Sequence, residues 1–511
     1  MTTVRENPGC LLGDRAQWSA GGPVADPEGL VSLHTVQSTP RSDALAPERP
    51  GVDVPAGEQL GTGLKVRHLT MMGLGSAIGA GLFLGAGAGI SLAGPAILVS
   101  YVVAGVLVVL VMRMLAEMAA ALPSSGSFST YADEGIGRWA GFTLGWLYWA
   151  TLVLVLGVEI TGASQIIHGW LPVLPQWAIA LLLVTAFAVV NLAPVRNFGE
   201  FEFWFASLKV AVVVLFLVVG ALLALGLLPG SEPVGTSNLL GHGGFAPQGL
   251  GGIAAGLLVV VFAFGGIEIV TIAAAESQDP RRAIAAAARS VVWRILLFYV
   301  GSVAIMVLVL PWDAPELVAG PFVAVLSSTG IPGLPVIMEA VVVIALLSAF
   351  NANIYGTSRM SYALARRGDG PAALLRVSRQ GTPVAAVGLS VACALVSVGL
   401  NWLLPGTLLG ILLSAAGASL ILVWVFIAIA QIRLRPRLER DGLLTVRMWG
   451  YPWLSWATLG LLVAFMVLML TDDDARGQLM SAVGLCGVLI GIHVVRARVR
   501  ARRARRIAAQ G

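Results

Sequence analysis

The sequence predicts an all-α membrane protein that crosses the bilayer twelve times. Hydrophobic residues make up 57% and charged residues only 12% of its 511 residues, whereas soluble domains carry about 25% charged residues. Its mean hydropathy is +0.86. These values exclude a soluble enzyme and a disordered chain, and the three scattered cysteines (Cys10, Cys393 and Cys486) exclude a disulfide scaffold. The solvent of such a chain is mostly lipid.

Apolar runs long enough to cross a bilayer, roughly 20 residues each, recur along the whole chain. The predicted spans are residues 68–90, 94–121, 139–167, 176–193, 201–228, 246–274, 285–310, 334–362, 383–403, 406–431, 451–470 and 479–496. The loops between these spans are too short to hold a soluble catalytic domain. We therefore expect the functional residues to lie within the helices.

The two ends of the chain differ in character from the spans. Residues 1–66 mix Pro, Gly, Ser and acidic residues without a lasting apolar period, which predicts a disordered cytoplasmic tail. This segment lacks the cationic start and apolar core of a cleavable signal peptide. Residues 497–511 are basic and predict a second, short cytoplasmic tail.

The distribution of arginine predicts the orientation in the membrane. The loops placed outside hold one basic residue, Arg476, against six acidic residues. The opposite side carries Arg366, Arg367 and the cluster Arg433–Arg447. Because basic loops stay on the cytoplasmic side, we expect both termini in the cytoplasm and the chain in the cell membrane. The basic runs are attributed to orientation and to contact with membrane lipids, not to nucleic acid.

Two predicted spans contain glycine at mid-depth. Residues 71–89 of the first span include seven glycines, and the sixth span contains Gly265 and Gly266. Glycine disfavours a continuous helix, and broken helices are tolerated in lipid only where protein or a cavity satisfies the freed backbone groups. Two interruptions five spans apart indicate an inverted repeat with a substrate site between its halves.

The freed ends of interrupted helices suit a small zwitterion. Amides at a helix start favour a carboxylate, and exposed carbonyls favour an ammonium group, so an amino acid offers both partners. Close packing is the alternative for the first span. Gly75 and Gly79, like Gly81 and Gly85, have the small-xxx-small spacing of ordinary helix contacts.

The use of lysine is restricted to two positions. Of 32 basic residues only Lys65 and Lys209 are lysine. Lys209 lies roughly 12 Å along the fifth span at the usual helical rise. An arginine would stay charged at this depth, whereas a desolvated lysine can release its proton, so Lys209 is a candidate for proton coupling. The alternative is that its side chain snorkels to the cytoplasmic headgroups.

Several carboxylates also lie within predicted spans, where acidic residues are costly and often functional. Glu268 follows the interruption in the sixth span and is a candidate for a proton relay or gate. Glu159 in the third span either lines the route, as a coupling residue or an anchor for the amine, or makes a packing hydrogen bond. Glu339 is expected to reach the outer interface, and Glu117 to pair with Arg113 or with loop arginines.

Several phrases of the sequence resemble one family. They are SAIGAGLFLGAG, RMLAEM, GSFSTYAD, GWLYW, NFGEFEFWFASLKV, FAFGGIEIVTIAAAESQDPRRAI and NANIYGTSRMSYALARRG, in order within residues 64–495. They resemble the amino-acid permeases of the amino acid–polyamine–organocation superfamily, and within it the γ-aminobutyrate permease branch. This resemblance implies a leucine-transporter-like fold in a transporter domain at 67–496. The inverted repeats would be 68–228 and 246–431, followed by two extra helices at 451–470 and 479–496.

The same resemblance implies a mechanism and a substrate class. Members of the family import amino acids by alternating access, driven by the proton gradient and without a cofactor. For this chain it implies uptake of γ-aminobutyrate or a similar small amino acid. The sequence departs from that branch at Gly265, where a bulkier residue is usual, and in the phrase GVEITGASQ. A glycine there leaves room for a larger substrate side chain.

Carried over by position, the resemblance implies two facing segments of a substrate site. These segments are Ala77, Ile78, Gly79, Ala80 and Gly81 in the first span, and Phe262, Gly265, Gly266 and Ile267 in the sixth. Phe262 resembles the aromatic residue that covers the site. In proton-coupled members a lysine of the fifth span takes the place of a sodium ion, and Lys209 resembles it.

Three other functions are alternatives to a proton symporter. An exchanger or facilitator of different specificity, for neutral or aromatic amino acids, would move substrate without protons. A membrane-embedded enzyme would need a polar loop or a clustered His, Cys or Asp constellation, so we expect no enzyme and no metal site. A receptor on a transporter scaffold would be expected to carry a longer C-terminal segment than 497–511. No oligomeric state is predicted.

Overall fold

The structure, a computed structural model, describes residues 78–122, 127–192, 195–266, 268, 296–378, 381–471 and 473–508. Every regular element within these ranges is helical. The α-helices are α1 Ala80–Phe83, α2 Gly85–Ala93, α3 Ile97–Ala121, α4 Ser127–Gly135, α5 Arg138–Trp170, α6 Gln176–Asn191, α7 Val195–Ala224, α8 Ser237–Leu240, α9 Gly249–Ala263, α10 Leu296–Val309, α11 Pro315–Ala319, α12 Pro321–Ser327, α13 Leu334–Arg366, α14 Val384–Leu403, α15 Leu408–Arg440, α16 Trp453–Met469 and α17 Asp473–Ala508.

The helices carry the apolar character that the sequence predicts. Within the described ranges, seven helices are long and apolar enough to cross a membrane, and four shorter apolar helices accompany them. One of the seven, Gly85–Ala121, covers parts of the first two predicted spans, and each other predicted span overlaps one helix. The all-helical membrane fold is therefore confirmed, while the count of twelve crossings stays a prediction.

Burial separates inner helices from outer ones. The most apolar stretch of α15 is 72% buried and that of α5 is 61% buried, against 33% for α7 and 11% for α17. Large apolar side chains such as Leu182 on α6 and Val396 on α14 are exposed. Apolar surface of this kind is stable only against lipid, so the outer helices form the lipid-facing layer.

The inner helices define the centre of the molecule. Helix α5 packs along α13 and α15, while α9 packs against α2 and α15. Helix α17 lies on α5 and α15. The ends of α1 and α9 therefore meet among α5, α13 and α15, which is where the candidate site lies.

Helix boundaries differ from the predicted ones where local chemistry decides them. A 3₁₀ turn at Gly94–Ala96 separates α2 from α3, because Gly94 has a φ of +63° and Pro95 has no amide proton. Helix α17 continues to Ala508, through most of the predicted basic tail. Residues 1–77 lie outside the described residues, as does the predicted cytoplasmic turn 275–284.

Candidate functional site

Residues predicted for substrate binding from two distant parts of the sequence line one small cavity. Gly79 and Gly81 border it from the start of α1, and Phe262, Gly265 and Gly266 border it from the end of α9. The other lining residues are Tyr148, Thr151, Leu152, Val155, Glu159, Ala263, Asn353, Ala416 and Leu420. The cavity measures about 20 Å³, which is room for roughly one water molecule.

The remaining residues of the two predicted segments do not line this cavity. Ile78 and Ala80 are fully buried beside it. Ala77 and Ile267 lie outside the described residues. The structure thus brings together five of the nine predicted substrate-binding residues around a single cavity.

The two helices approach so closely at the cavity that only glycine fits at their contact. A Cβ atom on Gly81 would lie 2.4 Å from the Cα of Ala263, and backbone atoms cannot yield as a flexible side chain can. Helix α9 ends at Ala263, whose carbonyl accepts a hydrogen bond of 2.7 Å from the Tyr299 hydroxyl. Close packing of the two segments and the end of a helix therefore coincide here. The glycines fit both interpretations made from the sequence, a helix interruption and a close helix contact.

The chain turns at the end of α9 in a way that fixes Glu268. Gly266 has a φ of +93°, a conformation that residues with a Cβ rarely adopt. Its amide donates a hydrogen bond of 3.0 Å to Glu268 Oε2, and the Trp424 indole donates one of 2.7 Å to Oε1. Glu268 is buried and is held against α15, but it does not border the cavity.

The carboxylate of Glu159, a residue of α5, lies at the start of α1. The amide of Ala80 donates to both carboxylate oxygens of Glu159, at 3.2 and 3.3 Å. A Cβ on Gly79 would lie 2.5 Å from Glu159 Oε1, so the glycine permits this approach. Negative charge is favourable beside free amides at a helix start. The packing hydrogen bond considered from the sequence is present, and the same carboxylate borders the cavity.

Lys209 is fully buried in α7. A snorkelling lysine would place its ammonium group at the headgroups, and this side chain has no exposed surface to do so. Lys209 lies within electrostatic range of Glu159. Of the three predicted coupling residues, Glu159 borders the cavity.

Several polar and aromatic side chains at the site were not predicted from the sequence. Tyr148 and Thr151 of α5 and Asn353 of α13 line the cavity, and Trp424 holds Glu268. The polar run NANIYGTS within an otherwise apolar span was a signal for Asn353. Tyr148 carried no such signal, because aromatic residues near a span end also fit an interfacial belt.

A larger cavity of about 640 Å³ borders the other end of α1. Phe83 and Leu84 line it, together with Glu316 and Glu339. The Trp170 indole donates a hydrogen bond of 2.7 Å to Glu339 Oε2. Glu339, expected at the outer interface, thus lies in the wall of an acidic cavity on the side that has few arginines.

The arginine-rich side contains a buried ion pair. Glu117 pairs with Arg435 of the predicted basic cluster, and it also accepts hydrogen bonds from the Gln431 side chain (2.7 Å) and the Met448 amide (2.5 Å). Arg113 instead donates to the carbonyl of Arg447 at 2.9 Å. Among the residues whose positions are described, no group of three or more His, Cys, Asp or Glu side chains could hold a metal ion.

The chain is similar in sequence to one protein family and to several of its members. Residues 68–506 match the family profile described as "Amino acid permease". The aromatic amino acid transport protein AroP of Corynebacterium glutamicum is 54% identical over 438 residues, covering 85% of this chain and 94% of that protein. The γ-aminobutyric acid permease of Bacillus subtilis is 43% identical over 434 residues, covering 84% and 92%.

Another γ-aminobutyric acid permease, from Escherichia coli K12, is 45% identical and covers 81% of this chain and 89% of that protein. Among solved structures, a mutant manganese transporter of Eremococcus coleocola superposes with a TM-score of 0.51 at 14% identity. The superposition covers 85% of this chain and 95% of that one. At this identity the likeness shows a shared fold and nothing about the substrate.

Proposed function

The chain belongs to the amino acid permease family, and we propose that it imports an amino acid by proton symport with alternating access. The observation that carries the proposal is the cavity where the start of α1, at Gly79 and Gly81, meets the end of α9, at Phe262 and Gly266. Helix ends at mid-membrane depth need polar partners, and a zwitterion supplies both a carboxylate and an ammonium group. The family consists of permeases, not enzymes.

The proposal extends to the architecture of the transport domain. It comprises twelve spans, of which ten form a five-plus-five inverted repeat with interruptions in the first and sixth. The overlap of every predicted span with a helix supports this arrangement. So do the start of α1 and the end of α9 beside one cavity, and the fold shared with a solved transporter.

We propose an aromatic amino acid as substrate, with γ-aminobutyrate as the second candidate. The aromatic amino acid transport protein of Corynebacterium glutamicum shares 54% identity, against 43% and 45% for the two γ-aminobutyrate permeases. Aromatic amino acid transport proteins of Escherichia coli and Salmonella typhimurium share 37% to 39%. Apolar side chains of Leu152, Val155 and Phe262 border the cavity and suit an aromatic ring. A Cβ at Gly265 would lie 2.9 Å from Leu420 Cδ2, so glycine leaves room once that flexible side chain turns away.

Coupling follows from a competition for one amide. The Ala80 amide is bound by Glu159, and the carboxylate of an entering amino acid would need the same donor. We propose that substrate displaces the Glu159 carboxylate, which then no longer counterbalances Lys209. Lys209 releases its proton to the cytoplasmic side and takes up another from outside after the substrate has left. Glu268 would act as a proton relay or gate at the end of α9. The hydrogen bond that it accepts from Trp424 connects this end of α9 to α15.

Competition uptake in proteoliposomes tests the substrate class. Labelled phenylalanine should accumulate when the outside is acidic, and tyrosine and tryptophan should compete with it. A side chain added by Gly265→Val should abolish phenylalanine uptake and spare a smaller substrate, because it occupies the space beside Leu420. Gly251→Val is the matched control, since Gly251 lies exposed on α9, the helix that precedes Gly265, with nothing within 4 Å of its Cβ position.

The outcome of the panel separates the candidates. Competition by γ-aminobutyrate and not by aromatic compounds would replace the first substrate with the second. Competition by neither class would contradict both. A proton-sensitive dye then separates symport from exchange or facilitation, because symport requires alkalinisation outside that is linked to substrate entry.

A further inference from the structure

A cavity of about 230 Å³ lies on the arginine-rich side of the molecule, apart from the substrate cavity. It is formed by the start of α5, the loop that follows α13 and the second half of α17. The lining residues are Arg138, Phe142, Asp369, His493, Arg496, Ala497 and Arg500. None of these residues borders the cavity between α1 and α9, and the transport mechanism makes no use of them.

The arginines of this cavity are held in place by the loop that follows α13. Arg496 donates hydrogen bonds of 2.6 Å to the Asp369 carbonyl and 3.1 Å to the Gly368 carbonyl. Arg500 donates to the same Gly368 carbonyl. Phe142 supports Arg496 from the side, with its ring centre 5.6 Å from the guanidinium carbon. The guanidinium groups are therefore pre-positioned before any ligand arrives.

The charge of the lining is positive. Three guanidinium groups face one carboxylate, Asp369, which is 3.6 Å from Arg138 and 3.5 Å from Arg367 just outside the lining. Burial raises the pKa of the Asp369 carboxyl, although Arg367 and Arg138 act in the opposite direction. Each guanidinium has five N–H donors, so the contacts to loop carbonyls leave donors of Arg496 and Arg500 for a ligand.

From this geometry we propose that the cavity binds a phosphate group, supplied by a membrane lipid headgroup or by free phosphate. Guanidinium groups match the oxygens of phosphate in paired hydrogen bonds. The cavity lies at a helix end, where the predicted spans reach the headgroups, and basic pockets between helices at this depth accept anionic lipids. A bound phosphate would connect α17 to the loop 367–369 and the start of α5.

Native mass spectrometry of the full chain in detergent tests the proposal, with phosphatidylglycerol as the probe and phosphatidylcholine as the neutral control. The double variant Arg496→Gln with Arg500→Gln should weaken phosphatidylglycerol binding by about tenfold or more. The matched control is Arg498→Gln with Arg502→Gln, which removes the same charge from exposed positions on the same helix. It should weaken binding by less than about twofold.

A second variant keeps every charge and blocks the space. Ala497 lines the cavity and is exposed, so Ala497→Phe should weaken binding as much as the arginine pair does, even if that pair disturbs the loop. Equal losses in both arginine pairs would indicate diffuse attraction and overturn the proposal, as would full binding by Ala497→Phe. Displacement of the lipid by inorganic phosphate identifies free phosphate as a ligand; retention identifies the headgroup.

Discussion

At the scale of single residues, the buried charges differ in what holds them. Glu268 is fixed by the Trp424 indole and the Gly266 amide, and Glu117 by an arginine. Lys209 is fully buried on α7 and interacts with Glu159, whose own partner is a helix-start amide. A buried ammonium group near a carboxylate loses electrostatic stabilisation when that carboxylate moves away. Lys209 is therefore the residue where transport and proton movement should separate.

We expect Lys209→Ala to abolish accumulation driven by a proton gradient while leaving exchange of internal for external amino acid. The reason is that exchange needs the substrate cavity but not a group that releases its proton. Uptake and counterflow in the same proteoliposomes measure the two activities.

Lys209→Arg distinguishes positive charge from proton release. A guanidinium keeps its charge, so this variant should also fail to accumulate substrate. Unaltered accumulation by either variant would contradict the role proposed for Lys209. Loss of both exchange and accumulation would indicate that Lys209 has a structural role instead.

At the scale of helices, Gly81 and Gly85 are expected to differ in whether they tolerate a side chain. A Cβ on Gly81 would lie 2.4 Å from the backbone of α9, whereas one on Gly85 would lie 3.4 Å from a Val259 methyl group. Overpacking a core contact costs about 1–3 kcal/mol, and more where backbone must move. We expect Gly81→Ala to lower thermal stability in detergent and to abolish transport. Gly85→Ala should retain both, and equal behaviour of the two would contradict the close approach of α1 and α9.

Two ion pairs of α15 give a matched test of burial. Glu117 pairs with Arg435, whose side chains are 0% and 6% exposed, and Glu134 pairs with Arg437, whose side chains are 45% and 46% exposed. Breaking a buried pair costs about 3–5 kcal/mol because the other charge stays desolvated. An exposed pair is worth about 0–1 kcal/mol.

We therefore expect Glu117→Gln to lower the unfolding free energy by about 3 kcal/mol. Glu134→Gln should leave it nearly unchanged, and both are measured by thermal or denaturant unfolding in detergent. Similar losses in the two variants would mean that the Glu117 pair is as well solvated as the surface pair.

At the scale of the whole molecule, the charge asymmetry predicts the orientation. Ser327 is exposed in the wall of the acidic 640 Å³ cavity, and Ala497 is exposed beside the phosphate cavity on the arginine-rich side. In a variant with Cys10, Cys393 and Cys486 replaced by serine, Ser327→Cys should react with an impermeant maleimide in intact cells. Ala497→Cys should react only after permeabilisation. The reverse pattern would invert the predicted topology.

The predicted spans agree well with the helices because apolar length is a local property. Helix α9 lies within the predicted sixth span, and α15 begins within two residues of the predicted tenth. The predicted boundaries differ where a helix continues beyond its apolar stretch, as α17 does to Ala508. A hydropathy pattern indicates where lipid ends, and a helix held by contacts such as Arg496 with the Asp369 carbonyl continues beyond that point.

The candidate site was less predictable than the helices. Five residues predicted for substrate binding line one cavity: Gly79, Gly81, Phe262, Gly265 and Gly266. Their role in binding stays a prediction. The sequence singled them out because glycine interruptions and family phrases are local patterns. Tyr148 and Trp424 were missed because an aromatic residue in a membrane span is expected for many reasons. Their roles depend on which helix lies opposite, and local sequence does not contain that information.

By itself, the sequence determined the class of molecule, the approximate helices and the residue types that face each other at the site. Only the tertiary structure decided the partners: Glu159 on the Ala80 amide, Glu268 on Trp424, and Glu117 on Arg435. These partners are 79, 156 and 318 residues apart. Burial in lipid follows from composition, summed residue by residue. The pairing of a buried charge depends on which distant group the packed helices bring within hydrogen-bond reach.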